Sequence, residues 1–193
     1  GPSCPAPCAH LIRIGEGSYE GAQCDGPEYE TIYSFGSECG SSRFDAVVAA
    51  GQICDEYGID TMSAGVTVGF AMECFERGLI NEKDTEGVQL HFGDDHAMIA
   101  MLRKIVRREG IGRILANGTR YASRHIPGSE GFAMHAKGME FGGYECRASW
   151  GQALQYAVNA RGGCHHGYGL PARVEHVQGM GTILEGKGQL VKN

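Results

Sequence analysis

Apolar positions along the chain recur mostly at helical spacing. Phe44, Val47, Val48, Gly51 and Cys54 fall on one face and Gly58 stops the run, which predicts a helix of roughly three to four turns. Ser63 to Arg77 reads as a second helix ended by Gly78. Asp94 to Arg108 gives the clearest pattern: Met98, Met101, Leu102, Ile105 and Val106 form one stripe, with acids at its start and basic residues at its end. A short helix is expected around Ile114 to Ala116, stopped by Asn117-Gly118, and Leu154, Ala157 and Val158 mark another from about Ser149 to Arg161. Pro27-Glu28-Tyr29-Glu30 carries proline and acids where a first helical turn prefers them.

The remainder lacks period. Residues 1–27 are rich in Gly, Pro and Cys and read as loop; residues 123–149 read as irregular. Beyond Gly162 the chain is loop-like apart from a short helix near Val174. No alternating strand and no internal repeat stands out, so the pattern predicts an all-α fold with many Gly-rich loops.

Composition sharpens this. With 193 residues, 42% of them hydrophobic and 21% charged, the chain can bury a real core and is not disordered. The uncharged runs fall short of the roughly twenty residues of a spanning helix, so no membrane segment is expected. Lys+Arg 17 against Asp+Glu 23 gives a net charge of −6, which argues against a general nucleic-acid binder. The 31 glycines are scattered rather than periodic, pointing to turns and close backbone approaches. Eight cysteines in a chain this long suggest reduced thiols and an intracellular, cytoplasmic setting, with some thiols free to bind metal.

Four stretches could carry chemistry. Cys4-Pro-Ala-Pro-Cys8 can turn two thiols toward one metal or cluster, or hold two buried or bridged cysteines. Asp55-Glu-Tyr-Gly-Ile-Asp60-Thr61 reads either as an ordinary helix stop and start or as a turn offering two carboxylates to a nitrogen-rich ligand. His135 to Arg147 gathers ionisable groups in a Gly-rich segment. Arg161-Gly-Gly-Cys164-His165-His166 puts a thiol and two imidazoles after a helix, which suits zinc, acid–base work or a simple hydrogen-bonded loop. The basic run Arg103-Lys104 and Arg107-Arg108 fits a helix C-terminus. Neither a phosphate-binding G-x-x-x-x-G-K-[ST] nor a G-x-S-x-G nucleophile turn is present.

In combination these pieces resemble the tungsten-containing aldehyde ferredoxin oxidoreductase family. Gly26-Pro-Glu-Tyr-Glu-Thr31 looks like its G-P-E-Y-E-T segment, and Asp55 to Asp60 fits its D-x-x-G-L-[CD] motif with Ile59 for Leu. Arg108-Glu-Gly-Ile-Gly and Leu115-Ala-Asn-Gly118 are similar to R-E-G-x-G and L-A-x-G. His135-Ala-Lys-Gly138, Tyr144 and Arg161-Gly-Gly-Cys-His165 match H-V-K-G, Y-D-P-R and R-G-x-C-H, in the family's order.

The resemblance implies a tungsten (or molybdenum) bis-pterin, a 4Fe-4S cluster, small aldehyde substrates, ferredoxin as acceptor and a possible homo-oligomer. It implies acid–base roles for Glu30 and His165, with Glu28 a lesser substitute for Glu30, and an orienting role for Tyr144. Asp55, Gly58, Ile59 and Asp60 would contact pterin, and Cys4 and Cys8 would ligate the cluster. The first cluster cysteine would fall at Gly1, and Tyr144-Glu-Cys-Arg147 replaces Y-D-P-R. The chain is expected to be an internal segment, 1–124 resembling the family's second domain and 125–193 its third. The alternatives are a tungsten-containing aromatic acyl-CoA reductase subunit of the same superfamily, and a non-enzymatic zinc-binding domain using Cys146, Cys164, His165 and His166.

Overall fold

A computed structural model describes residues 10–166. The helices predicted between residues 27 and 161 are there, and their ends follow the expected capping chemistry. Helix α1 is Tyr29–Ile32; α2 is Phe44–Tyr57 and closes on Gly58 in the left-handed region at φ 66. Asp60 begins α3 (Thr61–Glu76), its carboxylate accepting from Ser63 N–H at 2.7 Å. Asp94 does the same for α4 (Asp95–Arg107), accepting from Ala97 N–H at 2.9 Å, while Lys104 and Arg107 lie in the last turn. Lys104 also pairs with Glu86. Helices α5 (Gly112–Leu115), α6 (Thr119–Ser123) and α7 (Trp150–Val158) complete the set among the described residues.

The core lies between α2, α3 and α4. Met98, Met101, Leu102 and Ile105 from the predicted stripe of α4 are buried there with Val48, Met72 and Leu90. Burying each such side chain contributes about 1.5–3 kcal/mol. The segment after α1 widens into a π-helix over Tyr33–Glu38, which packs on α3. Gly65 makes that approach possible, since a Cβ there would lie 2.5 Å from Ser34 Cβ.

The structure corrects several expectations. Residues 11–25 are not loop throughout: β1 (Leu11–Arg13) pairs antiparallel with β2 (Gln23–Asp25), Ile12 opposite Cys24. Within the irregular stretch a second small hairpin forms, β3 (His135–Ala136) against β4 (Met139–Glu140). Strands of two or three residues are too short to show alternation, so periodicity passes over them. The class stays mostly helical, with two two-stranded sheets among the described residues.

Helix α7 is where expected but turned the other way. Leu154 and Val158 are 63% and 55% exposed, whereas Gln152, Gln155 and Tyr156 are buried. Leu154, Ala157 and Val158 therefore mark the helix without marking its buried face. Helix α6 had no apolar run long enough to signal it. The short helix expected near Val174 lies outside the described residues, as do Cys4 and Cys8. Among the described residues no helix is long and apolar enough to cross a membrane.

Candidate active site

Glu30 sits on the single turn of α1, which Thr31 anchors by a hydroxyl contact to Thr61 Oγ1 at 2.7 Å. The start of α3 therefore fixes where Glu30 points from. Its Oε2 accepts from Gly143 N–H at 2.7 Å, and the carbonyl of Gly143 accepts from Tyr29 O–H at 2.9 Å. One residue of the 141–144 segment, Gly143, is thus held on both sides by two neighbouring side chains of α1. Glycine is required there: a Cβ on Gly142 would stand 2.8 Å from both Glu30 Oε1 and His165 Nδ1.

His165 arrives from the loop after α7. It is buried, and its Nδ1 stands 3.4 Å from Glu30 Oε1. Its ring lies 4.6 Å from the ring of Tyr144 and 4.0 Å from that of His166. Tyr144 also meets Tyr29 at 5.6 Å, and its carbonyl accepts from Tyr156 O–H at 3.3 Å.

Electrostatics at the pair are set by desolvation. Burial raises the Glu30 carboxyl above its ordinary range, more than the Gly143 N–H bond and His166 lower it. Burial, helped by His166, lowers the imidazole of His165. Although the two lie within ion-pair distance, the environment opposes the charged form of each. The contact therefore suits a proton that moves between states better than a fixed ion pair. Glu30 Oε1 is buried with no hydrogen-bond partner, an atom left available for a proton or a ligand.

The pair opens on a cleft of ≈ 550 Å³ bordered by Asp25, Glu28, Asp55, Asp60, Thr61 and Arg161 among others. A second cavity of ≈ 420 Å³ lies along the 141–147 segment, lined by Tyr33, Val66, Met134, Phe141, Tyr144 and Tyr156. The structure thus brings Glu30, His165 and Tyr144 together and places Asp55 and Asp60 on the same cleft as the first two. Gly58 and Ile59 do not border it: Gly58 ends α2, and Ile59 packs on the core. The capping reading of Asp60 is also realised, so one carboxylate both starts α3 and faces the cleft.

Cys146, Cys164, His165 and His166 do not assemble as the zinc alternative needs. Among the described residues no three Cys, His, Asp or Glu side chains gather as a metal site. Cys24, Cys39, Cys54, Cys74, Cys146 and Cys164 are free thiols, and burial pushes that of Cys54 up to about 12. Sequence reasoning missed Tyr29 and the Gly142-Gly143 pair. Their signals were present: a tyrosine beside Glu30 and a glycine doublet in a segment dense with ionisable groups.

A half-buried carboxylate beside a buried imidazole, on an acid-lined cleft within a mostly helical frame, defines a candidate acid–base site. The family model described as aldehyde ferredoxin oxidoreductase, domains 2 and 3, matches residues 1–193, and the chain belongs to that family. It is 38% identical over 169 residues to a tungsten-containing aldehyde ferredoxin oxidoreductase of Pyrococcus abyssi, covering 84% of this chain and 26% of that one. It is 34% identical over 169 residues to the WOR-like subunit of an aliphatic sulfonate oxidoreductase of Pyrococcus furiosus, covering 84% of this chain and 27% of that one. Among solved structures, the active site complex BamBC of benzoyl coenzyme A reductase with 1,5 dienoyl-CoA matches with a TM-score of 0.63 and 27% identity, covering 82% of this chain and 23% of that one. The chain spans about a quarter of the length of the curated relatives it matches.

Proposed function

We propose that this chain forms the acid–base part of the active site of a tungstopterin, iron–sulfur oxidoreductase that converts aldehydes to carboxylic acids and passes electrons to ferredoxin. The observation that carries the proposal is the contact of half-buried Glu30 with buried His165 at 3.4 Å, with Glu30 Oε1 itself buried and unpartnered beside the cleft. The donor set fits a pterin. Carboxylates of Asp25, Glu28, Asp55 and Asp60 offer acceptors to the N–H groups of such a ring, and Arg161 offers a cation to its anionic parts. When bound, a tungsten (or molybdenum) bis-pterin would supply the two-electron chemistry, and Cys4 and Cys8 would give part of the ligand set of a 4Fe-4S cluster able to accept the electrons.

The reaction is RCHO + H₂O → RCOO⁻ + 3 H⁺ + 2 e⁻. The chain's own part is to orient the carbonyl and take up protons. Gly143 N–H pins one oxygen of Glu30, so Oε1 is presented in a fixed direction as the proton acceptor. His165 Nδ1, next in line, exchanges that proton onward, and its depressed basicity keeps it neutral and ready to accept. Tyr144 lies against His165 at the head of the aromatic second cavity, where the body of the substrate rests.

The test is aldehyde-dependent dye reduction by the anaerobically purified holoenzyme, with tungsten and iron counted beforehand. Glu30→Gln removes the proton acceptor without changing shape and is expected to lower kcat by about 10²–10⁴-fold at unchanged metal content. Undiminished turnover in that variant refutes the assignment. A second reading, a tungsten-containing aromatic acyl-CoA reductase subunit, is favoured by the structural likeness to the BamBC complex and by Tyr144-Glu-Cys-Arg147. Reduction of an aromatic acyl-CoA without turnover of any aldehyde selects it.

A further inference from the structure

The loop that presents His165 is tied down at a point the acid–base chemistry does not touch. The carbonyl of Cys164, the peptide just before His165, accepts from Asn159 Nδ2 at 2.7 Å and from Gln155 Nε2 at 3.3 Å. Asn159 is only 3% exposed, and its Oδ1 accepts from Arg161 N–H at 3.0 Å. One buried amide therefore clasps the loop near both of its ends.

Asn159 is itself held. It follows the last residue of α7, and its carbonyl accepts from Lys137 Nζ at 2.8 Å, a cation where the helix dipole favours one. Lys137 sits in a conformation that lysine avoids. Ala136 pairs with Met139, so Lys137 (φ 58) and Gly138 (φ 95) make a two-residue turn with both φ angles positive. Asparagine-glycine is the preferred pair in such a turn, and a lysine there is strained. The strain is compensated by what the side chain reaches. The loop also lies flat on this hairpin: a Cβ would stand 2.2 Å from Ala136 O at Gly162 and 2.6 Å from Glu140 O at Gly163.

We propose that Lys137 and Asn159 are positioning residues, a brace from the β3–β4 turn to the Cys164 carbonyl that holds His165 against Glu30. The inference rests on the acid–base role assigned to His165 above. Neither residue touches the reacting atoms; each acts through the loop.

Lys137→Asn is the discriminating variant, because asparagine suits the turn while removing the ammonium. In the holoenzyme its melting temperature, metal content and KM are expected to hold while kcat falls about ten- to a hundredfold, the usual consequence of a small misplacement. Asn159→Ala, which also strips two hydrogen bonds from a buried amide, should lose some melting temperature but lower kcat beyond what that loss accounts for. Carbethoxylation of His165 by diethyl pyrocarbonate, mapped by mass spectrometry, should be faster in both variants. Wild-type kcat and labelling rate in Lys137→Asn overturn the brace, and so does a loss of kcat that merely tracks lost melting temperature and metal. If His165→Asn keeps full turnover, the acid–base reading fails instead; faster labelling of His165 in Lys137→Asn still sustains the brace.

Discussion

Nδ1 of His165 stands 3.4 Å from Oε1 of Glu30, and burial opposes the charged form of both groups. Their contributions to stability therefore run in opposite directions with pH. Glu30 holds its proton above the ordinary 4.5, so its contribution is present below that value and lost as pH rises through the raised one. His165 loses its proton below the ordinary 6.5, so its contribution is present above that value and lost as pH falls through the lowered one. Glu30→Gln is expected to flatten the decline in stability as pH rises above 4.5, and His165→Asn the decline as pH falls below 6.5. Thermal unfolding across a pH series reads both; unchanged slopes would mean that neither group is perturbed in the folded protein.

Gly142 keeps the pair in register. An added Cβ would stand 2.8 Å from Glu30 Oε1 and equally close to His165 Nδ1, so alanine must push the two apart. Gly142→Ala is expected to cost about 1–3 kcal/mol of stability and at least roughly tenfold in turnover. Gly131 supplies the control, having nothing within 4 Å of its virtual Cβ. Equal behaviour of Gly142→Ala and Gly131→Ala, in melting temperature and kcat alike, contradicts the packing account.

Much of the frame was legible in the sequence because helices of three or more turns repeat their signal. The stripe of Met98, Met101, Leu102 and Ile105 is buried as the period requires, and Asp60, Asp94 and Gly58 cap where their chemistry says. What failed had a physical reason in each case. A hairpin of His135–Ala136 with Met139–Glu140 is too short for alternation, and its turn uses a strained lysine where Asn would have announced it. Helix α7 buries Gln152, Gln155 and Tyr156 while Leu154 faces out; Gln155 bonds the Cys164 carbonyl and Tyr156 that of Tyr144, so polar side chains occupy the inner face where periodicity looks for apolar ones. His165 and the segment around Tyr144 stood out by their residue types, but their grouping with Glu30 came only through motif resemblance, since it depends on contacts more than a hundred residues apart in sequence, such as Gly143 N–H to Glu30 (|i−j|=113).

Gly65 and Gly69 lie on the same face of α3 against the π-helical turn, yet they should respond differently to alanine. At Gly65 the new methyl meets the Ser34 side chain at 2.5 Å and its backbone carbon at 2.7 Å, atoms that cannot swing away. At Gly69 the nearest atom is Glu38 Cγ at 3.1 Å, part of a flexible side chain. Gly65→Ala is expected to destabilise by about 1–3 kcal/mol. Gly69→Ala should be near neutral, because a gain in helix propensity of about 0.5–1 kcal/mol offsets the shift of Glu38. Chemical denaturation of the two variants decides this, and the reverse order of stabilities would show that the π-turn is not pressed against α3 as described.

Asp60 carries two duties that one pair of substitutions can separate. Its carboxylate caps α3 by accepting from Ser63 N–H at 2.7 Å, and the same side chain borders the cleft assigned to the pterin. Asparagine caps a helix about as well as aspartate, whereas alanine forfeits about 1 kcal/mol. Asp60→Ala should therefore lower both stability and pterin content. Asp60→Asn should keep the melting temperature of the apoprotein but lose pterin, because the amide replaces an anionic acceptor for ring N–H groups with a neutral oxygen and a competing donor. Fluorescence of the released, oxidised pterin gives the content directly. Full pterin in Asp60→Asn would leave Asp60 as a helix cap that happens to face the cleft, and the contact would then have to come from Asp55 or Glu28.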